Sequence, residues 1–114
     1  MSVISAYINA NQATSSDIDL GEDSLVAIEM PEAWTGTVLN IQCKAEESRT
    51  QNESTLDWDD VYDSAGNQIA ITVAQNRVVV PTAAHAAALA PLRFIRFVST
   101  PAQNPSKTLR IITK

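Results

Sequence analysis

The stretch Thr37-Val38-Leu39-Asn40-Ile41-Gln42-Cys43-Lys44 decides the fold class. Leu39, Ile41 and Cys43 alternate with Asn40, Gln42 and Lys44. A period of two marks a half-buried β-strand, because successive side chains of extended backbone point to opposite faces of a sheet. Immediately upstream, residues 24–30 set Val26, Ile28 and Met30 on one face and stop at Pro31, which has no N–H to give to a ladder. Comparable runs occupy residues 3–8, 56–62, 69–73, 77–80, 92–99 and 108–113. In the 92–99 run Ile95 and Phe97 share one face while Arg96 takes the other. Seven to eight short strands with turn signals between them predict an all-β fold, an antiparallel β-sandwich or a small barrel, and of the two the sandwich is the expectation. Its expected core is Val26, Ile28, Leu39, Ile41, Cys43, Ile95, Phe97, Leu109 and Ile111.

Three segments depart from the strand pattern. Residues 82–90 are Ala-rich and bracketed by Pro81 and Pro91, which predicts one short helical turn of at most about two turns near His85. Residues 46–54 are polar throughout and read as an exposed loop. Asp63-Ser64-Ala65-Gly66-Asn67, between two apolar runs, reads as a hairpin loop with Gly66 supplying a positive φ.

A length of 114 residues bounds the chain to one domain, 1–114, with a single modest core. One Cys and one His supply neither a disulfide nor the ligand set of a structural zinc site. The first residues carry no basic stretch before an apolar run, and no window approaches the ~20 apolar residues of a membrane span. The expectation is a soluble protein made in the cytoplasm. The net charge of −5 is strongly segregated. All 13 carboxylate side chains lie between Asp17 and Asp63, opposed there only by Lys44 and Arg49, and every charged side chain after Asp63 is basic. Acidic and basic strands are therefore expected either to neighbour one another in one sheet or to face one another across subunits. In the second case Arg93, Arg96 and Arg110 would meet acidic groups such as Glu46, Glu47 or Glu53 of a neighbouring subunit, and high salt would loosen the assembly. Net acidity argues against nucleic acid as a partner.

Candidate chemistry is sparse. Asp57-Trp58-Asp59-Asp60-Val61-Tyr62-Asp63 is carboxylate-rich but lacks EF-hand spacing, and on a strand Asp57 and Asp59 point away from Asp60. A solvated strand edge is the expectation, with no metal and no cofactor. His85 has no Ser or Asp at a suggestive spacing and reads as a helix residue. Cys43, in phase with Leu39 and Ile41, reads as a small buried hydrophobe rather than a nucleophile. The 3 Gly are too scattered for a phosphate loop, so no catalytic residue is assigned and the chain reads as non-enzymatic. Asn52-Glu53-Ser54 matches a glycosylation sequon, which carries little weight without a secretory signal. Trp34, between two predicted strands, is expected to close the end of the sandwich. Trp34 or Trp58, if exposed beside polar side chains, would instead offer a stacking surface for glycans.

The order of the segments carries a resemblance. Asp19-Leu20-Gly21 is followed by Leu25-Val26-Ala27-Ile28-Glu29-Met30-Pro31-Glu32-Ala33-Trp34-Thr35 and by Leu39-Asn40-Ile41-Gln42. Asp60-Val61-Tyr62-Asp63-Ser64-Ala65-Gly66-Asn67 comes next, then Leu92-Arg93-Phe94-Ile95-Arg96-Phe97 and Thr108-Leu109-Arg110-Ile111-Ile112. From Leu20 onwards this series resembles small structural proteins of tailed-bacteriophage virions, with a longer polar loop at 46–54 and with residues 1–17 not covered. The resemblance implies a jelly-roll-like β-sandwich on the virion, as a capsid decoration or cement protein or a head-fibre component. It implies a homo-oligomer, a trimer preferred, bound to the phage major capsid protein at the capsid surface, with no membrane and no nucleic acid partner. A carbohydrate-binding module on the virion, in a head fibre or the tail, is the alternative use of the same fold. The apolar run Val3, Ile4, Ala6, Tyr7 and Ile8 lies at a chain end and reads either as an attachment arm or as an ordinary edge strand. As an arm, its deletion is expected to abolish capsid binding and leave the sandwich folded. Expected contacts to capsid or neighbouring subunits are Val3, Ile4, Tyr7, Ile8, Arg93, Arg96 and Arg110.

Overall fold

The computed structural model describes residues 2–44 and 58–114. The elements are β1 (Ser2–Ile8), β2 (Gln12–Thr14), β3 (Ile18–Asp19), β4 (Leu25–Glu29), β5 (Val38–Lys44), β6 (Asp59–Asp60), β7 (Ala70–Thr72), β8 (Val78–Val79), α1 (Ala83–Leu89), β9 (Phe94–Gln103) and β10 (Lys107–Thr113). They form an antiparallel β-sandwich. One sheet runs β1-β10-β4-β8; the other runs β2-β9-β5-β6, with β3 also on β9 and β7 also on β5. In the first sheet β1 is the edge strand and pairs with β10 from Ser2 opposite Thr113 to Ile8 opposite Lys107.

The alternation in residues 37–44 becomes the centre of the second sheet. β5 pairs along its whole length with β9, and Leu39 and Ile41 are fully buried. Cys43, near the strand end, is half-buried against the core. Ile28, Ile95, Phe97, Leu109 and Ile111 lose all exposure, as their parity predicts. Val26 is the exception. β10 pairs Ile112 with Ala27 and then Thr113 with Leu25, so Val26 is the extra residue of a β-bulge. The bulge resets the alternation: Leu25 is buried and Val26 only half-buried.

More strand segments appear than the expected seven to eight, because two lanes of the sandwich are split. β2 and β3 lie successively along β9, and β6 and β7 successively along β5. Between β6 and β7 the chain leaves the lane and returns: Val61 N–H donates to Ile41, Ile69 N–H donates back to Val61, and Tyr62 bridges Gln68. Residues 63–67 therefore form the expected hairpin loop, closed by Asp63 N–H donating to the Asn67 carbonyl at 2.8 Å, and the hairpin is a small excursion within one lane. Gly66 turns it at φ 86°, and Asp63 Oδ1 accepts from the N–H groups of Ala65 and Asn67, both at 2.9 Å.

Helix α1 begins at Thr82, whose hydroxyl accepts from His85 N–H at 3.1 Å. It buries Leu89 and packs beside β4. At one end of the sandwich Trp34 packs into the core at 6% exposure, closing it. Its indole Nε1 is buried without a hydrogen-bond partner. Beside this corner, Gln103 on β9 is fully buried and binds the chain between β4 and β5. Its side-chain amide donates to the carbonyls of Thr35 (2.7 Å) and Pro101 (3.1 Å), and its Oε1 accepts from Thr35 N–H (3.1 Å). A buried amide that exchanges both kinds of hydrogen bond with one backbone residue fixes that connection against the sheet.

Candidate functional site

Side-chain direction along β10 builds the more coherent of two exposed surfaces. The main-chain N–H and C=O of Lys114 exchange hydrogen bonds with Ser24, just before β4, so even-numbered residues of β10 bond toward β4 and odd-numbered ones toward β1. On the side-chain level Leu109 and Ile111 point into the core, and Thr108, Arg110 and Ile112 point out. Across β1 the outward set is Val3, Ser5 and Tyr7, paired respectively with Ile112, Arg110 and Thr108. Arg110 also lies across from Glu29, and Glu29 across from Val78. Val3 (60%), Tyr7 (55%) and Val78 (55%) are strongly exposed. The outer face of the four-stranded sheet thus carries apolar groups around an Arg110–Glu29 pair of opposite charge.

Of the expected contact residues, this face collects Val3, Tyr7 and Arg110. Ile8 is a correction: it is fully buried, because even-numbered residues of β1 face the core together with Ala6. Ile4, of the same parity, is half-buried against that core. Residues 2–8 are a paired strand at the edge of the chain's own sheet, the second of the two readings expected for them. Ile112 and Val78 escaped the sequence reading. Ile112 has the parity of Arg110, a signal already present; Val78 needed the β4–β8 pairing.

Arg96 stands on β9 of the other sheet and Arg93 immediately before that strand, both engaged within the chain. Arg93 Nε donates to Asp19 Oδ1 at 2.9 Å, with its guanidinium 5.0 Å from the Phe94 ring centroid. This basic–acidic pairing joins neighbouring strands of one subunit, one of the two arrangements expected from the charge segregation. Both side chains are partly exposed, so the pair contributes about 0–1 kcal/mol. Arg96 Nε donates to Gln42 Oε1 at 2.7 Å, and Gln42 Nε2 donates to Asp60 Oδ1 at 3.0 Å. Trp58 lies over this row. The Arg96 guanidinium is 4.6 Å and the Lys44 ammonium 5.0 Å from its ring centroid, distances at which a cation is drawn to an indole face. Trp58 is half-buried beside polar groups, whereas Trp34 is inside.

The carboxylates of β6 diverge as their parity predicts, Asp60 lying across from Gln42 and Asp59 across from Cys43. The Cys43 thiol is pushed above its usual range by burial and, second, by the negative charge of Asp59. At neutral pH it is held as the thiol, the unreactive form. His85 is half-buried on α1. Asp57, the 46–54 loop, its sequon and Glu46, Glu47 and Glu53 lie outside the described residues. Among the described residues no three His, Cys, Asp or Glu side chains converge on a metal position, and no helix is long and apolar enough to cross a membrane.

No family model, curated protein or solved structure matches the chain. The functional reading accordingly rests on the strand order and on the two surfaces.

Proposed function

We propose that the chain is a non-enzymatic structural protein of a tailed-phage virion, an oligomer that decorates the capsid by laying the outer face of its four-stranded sheet on the major capsid protein. The observation that carries this reading is the gathering of Val3, Tyr7, Ile112 and Val78 around Arg110 on one face. Aromatic and Arg anchors among apolar groups are what binding surfaces concentrate. The strand order supports it too. Lanes 1-10-4-8 over 2-9-5-6, with first and last strands adjacent, are what two interleaved Greek keys produce, the jelly-roll arrangement that viral capsid and lectin domains share. In this reading the protein is made in the host cytoplasm and resides on the capsid surface.

The test is co-sedimentation with purified capsids that lack the protein. Tyr7→Ala combined with Arg110→Glu is expected to weaken capsid binding by at least about 30-fold, the loss of one anchoring cluster, with the far-UV circular dichroism unchanged. Both positions are exposed, so the fold does not depend on them. Undiminished binding by the folded variant refutes this face as the capsid contact.

One observation favours the second reading, a carbohydrate-binding module. Trp58 is half-buried beside Gln42, Asp60, Arg96 and Lys44, the mixture of aromatic face and hydrogen-bonding groups that a glycan requires. Trp34 is buried and so takes no part. Titration of host surface glycans while following indole emission decides it. A shift that disappears in Trp58→Phe supports the module, and constant emission removes it.

A further inference from the structure

We infer that β1 is a self-complementary edge through which two copies of this chain join, strand to strand, about a two-fold axis at Ile4. The inference rests on the reading of the protein as an oligomer and on nothing about the particle that carries it.

The backbone supplies the argument. Since odd-numbered residues of β10 bond toward β1, the even-numbered residues of β1 receive those bonds, and the N–H and C=O groups of Val3, Ser5 and Tyr7 point away from the sheet. At Tyr7 they are already used: its N–H donates to Ser16 Oγ at 3.0 Å and its carbonyl accepts from Ser16 N–H at 2.8 Å. Val3 and Ser5 are left with outward donors and acceptors along an exposed edge. Strand edges are normally blunted by charged side chains, proline, bulges or brevity. β1 has none of these: Ser2–Ile8 contains no charged residue and no Pro, pairs without a register break, and is the longest edge strand among the described residues. The opposite edge of the same sheet, β8, is only Val78–Val79.

The occupant is a second copy because the free window is its own complement. Antiparallel pairing centred on Ile4 sets Val3 opposite Ser5 of the other copy and Ser5 opposite Val3. Each such pair exchanges both of its backbone hydrogen bonds, so every free group between Val3 and Ser5 is satisfied. Moving the axis to Ser5 instead sets Val3 opposite Tyr7, whose backbone groups Ser16 has sealed, and leaves Val3 unpaired. The two Ile4 side chains meet across the axis on the core side, covering apolar surface that is half-exposed in one copy. No charge on either strand opposes the approach. A two-fold of this kind is isologous and closed, so it gives a dimer and no fibre. The two four-stranded sheets become one continuous sheet.

Equilibrium sedimentation of the full chain over a concentration series tests this, with Ser5→Pro as the variant. Proline removes an outward N–H that no group of its own subunit uses, and edge strands tolerate proline at such positions. The wild type is expected to sediment as a concentration-dependent dimer. Ser5→Pro, losing one donor from each copy, is expected to weaken dimerisation about 30-fold while keeping the wild-type circular dichroism. Should Ser5→Pro fail to fold, Val3→Lys with Ser5→Lys serves, placing cations opposite one another across the axis on an exposed face. A wild type that is monomeric throughout, a trimer, or a folded edge variant that dimerises as tightly as the wild type overturns the inference. The Tyr7→Ala, Arg110→Glu variant separates the two proposals: it is expected to dimerise normally and fail only on capsids.

Discussion

Replacing Gly36 by Ala is expected to destabilise the fold by about 4 kcal/mol, lowering the melting temperature by more than about 15 °C. Two effects add. Gly36 sits at φ 98°, a conformation that an L side chain adopts only under strain. A Cβ there would also collide with the Thr100 carbonyl oxygen and approach Pro101 Cδ to 2.9 Å. Thr100 is paired with Val38 in the β5–β9 ladder, so the backbone cannot withdraw without disturbing the central pair of the second sheet. The buried Gln103 amide, holding Thr35 and Pro101 together, tightens the same corner. Gly66→Ala is the control. Gly66 also has a positive φ, of 86°, but nothing lies within 4 Å of its added Cβ, so only the conformational cost of about 1 kcal/mol remains. Thermal denaturation of both variants checks the contrast; equal losses would show that the approach of Thr100 is not what excludes a side chain at position 36.

Deleting residues 1–9 is expected to unfold the protein rather than produce a folded chain that no longer binds. The deletion removes Ala6 and Ile8, both fully buried, and half-buried Ile4 from the core. It also strips β10 of its partner from Lys107 to Thr113, opening a new edge beside buried Leu109 and Ile111. Losing one buried Ile alone typically costs about 2–5 kcal/mol, and a domain of this size is stable by only about 5–15 kcal/mol. Adding the lost ladder exhausts that margin. Far-UV circular dichroism and the dispersion of amide proton resonances report the outcome. A truncated chain with native dispersion would mean that β1 is dispensable and free to act as an arm.

Gly36 and β1 mark the boundary between what the sequence by itself determined and what the tertiary structure decided. Period-two alternation identified the strands and their inner faces: Leu39 with Ile41, Ile95 with Phe97, and Leu109 with Ile111 are all fully buried. The short helix between Pro81 and Pro91 and the turn at Gly66 were equally legible, since each follows from backbone geometry over a few residues. The bulge at Val26 was not, because a bulge is defined only against the register of a partner strand. The apolar run at residues 3–8 reads the same whether it pairs within its own sheet or with a neighbour, and only its pairing with β10 sent Ile8 inward and left Val3 and Ser5 with open backbone groups. Val3, Tyr7 and Arg110 could be singled out one by one, but their meeting on one face required the two ends of the chain to lie side by side. Gln103 gave no sign of burial between Ala102 and Asn104; its place was set by Thr35, far away in sequence. Alternation is written locally because the backbone period is fixed, whereas register, edges and shared faces depend on which distant segments pack together, and that is decided by the core as a whole.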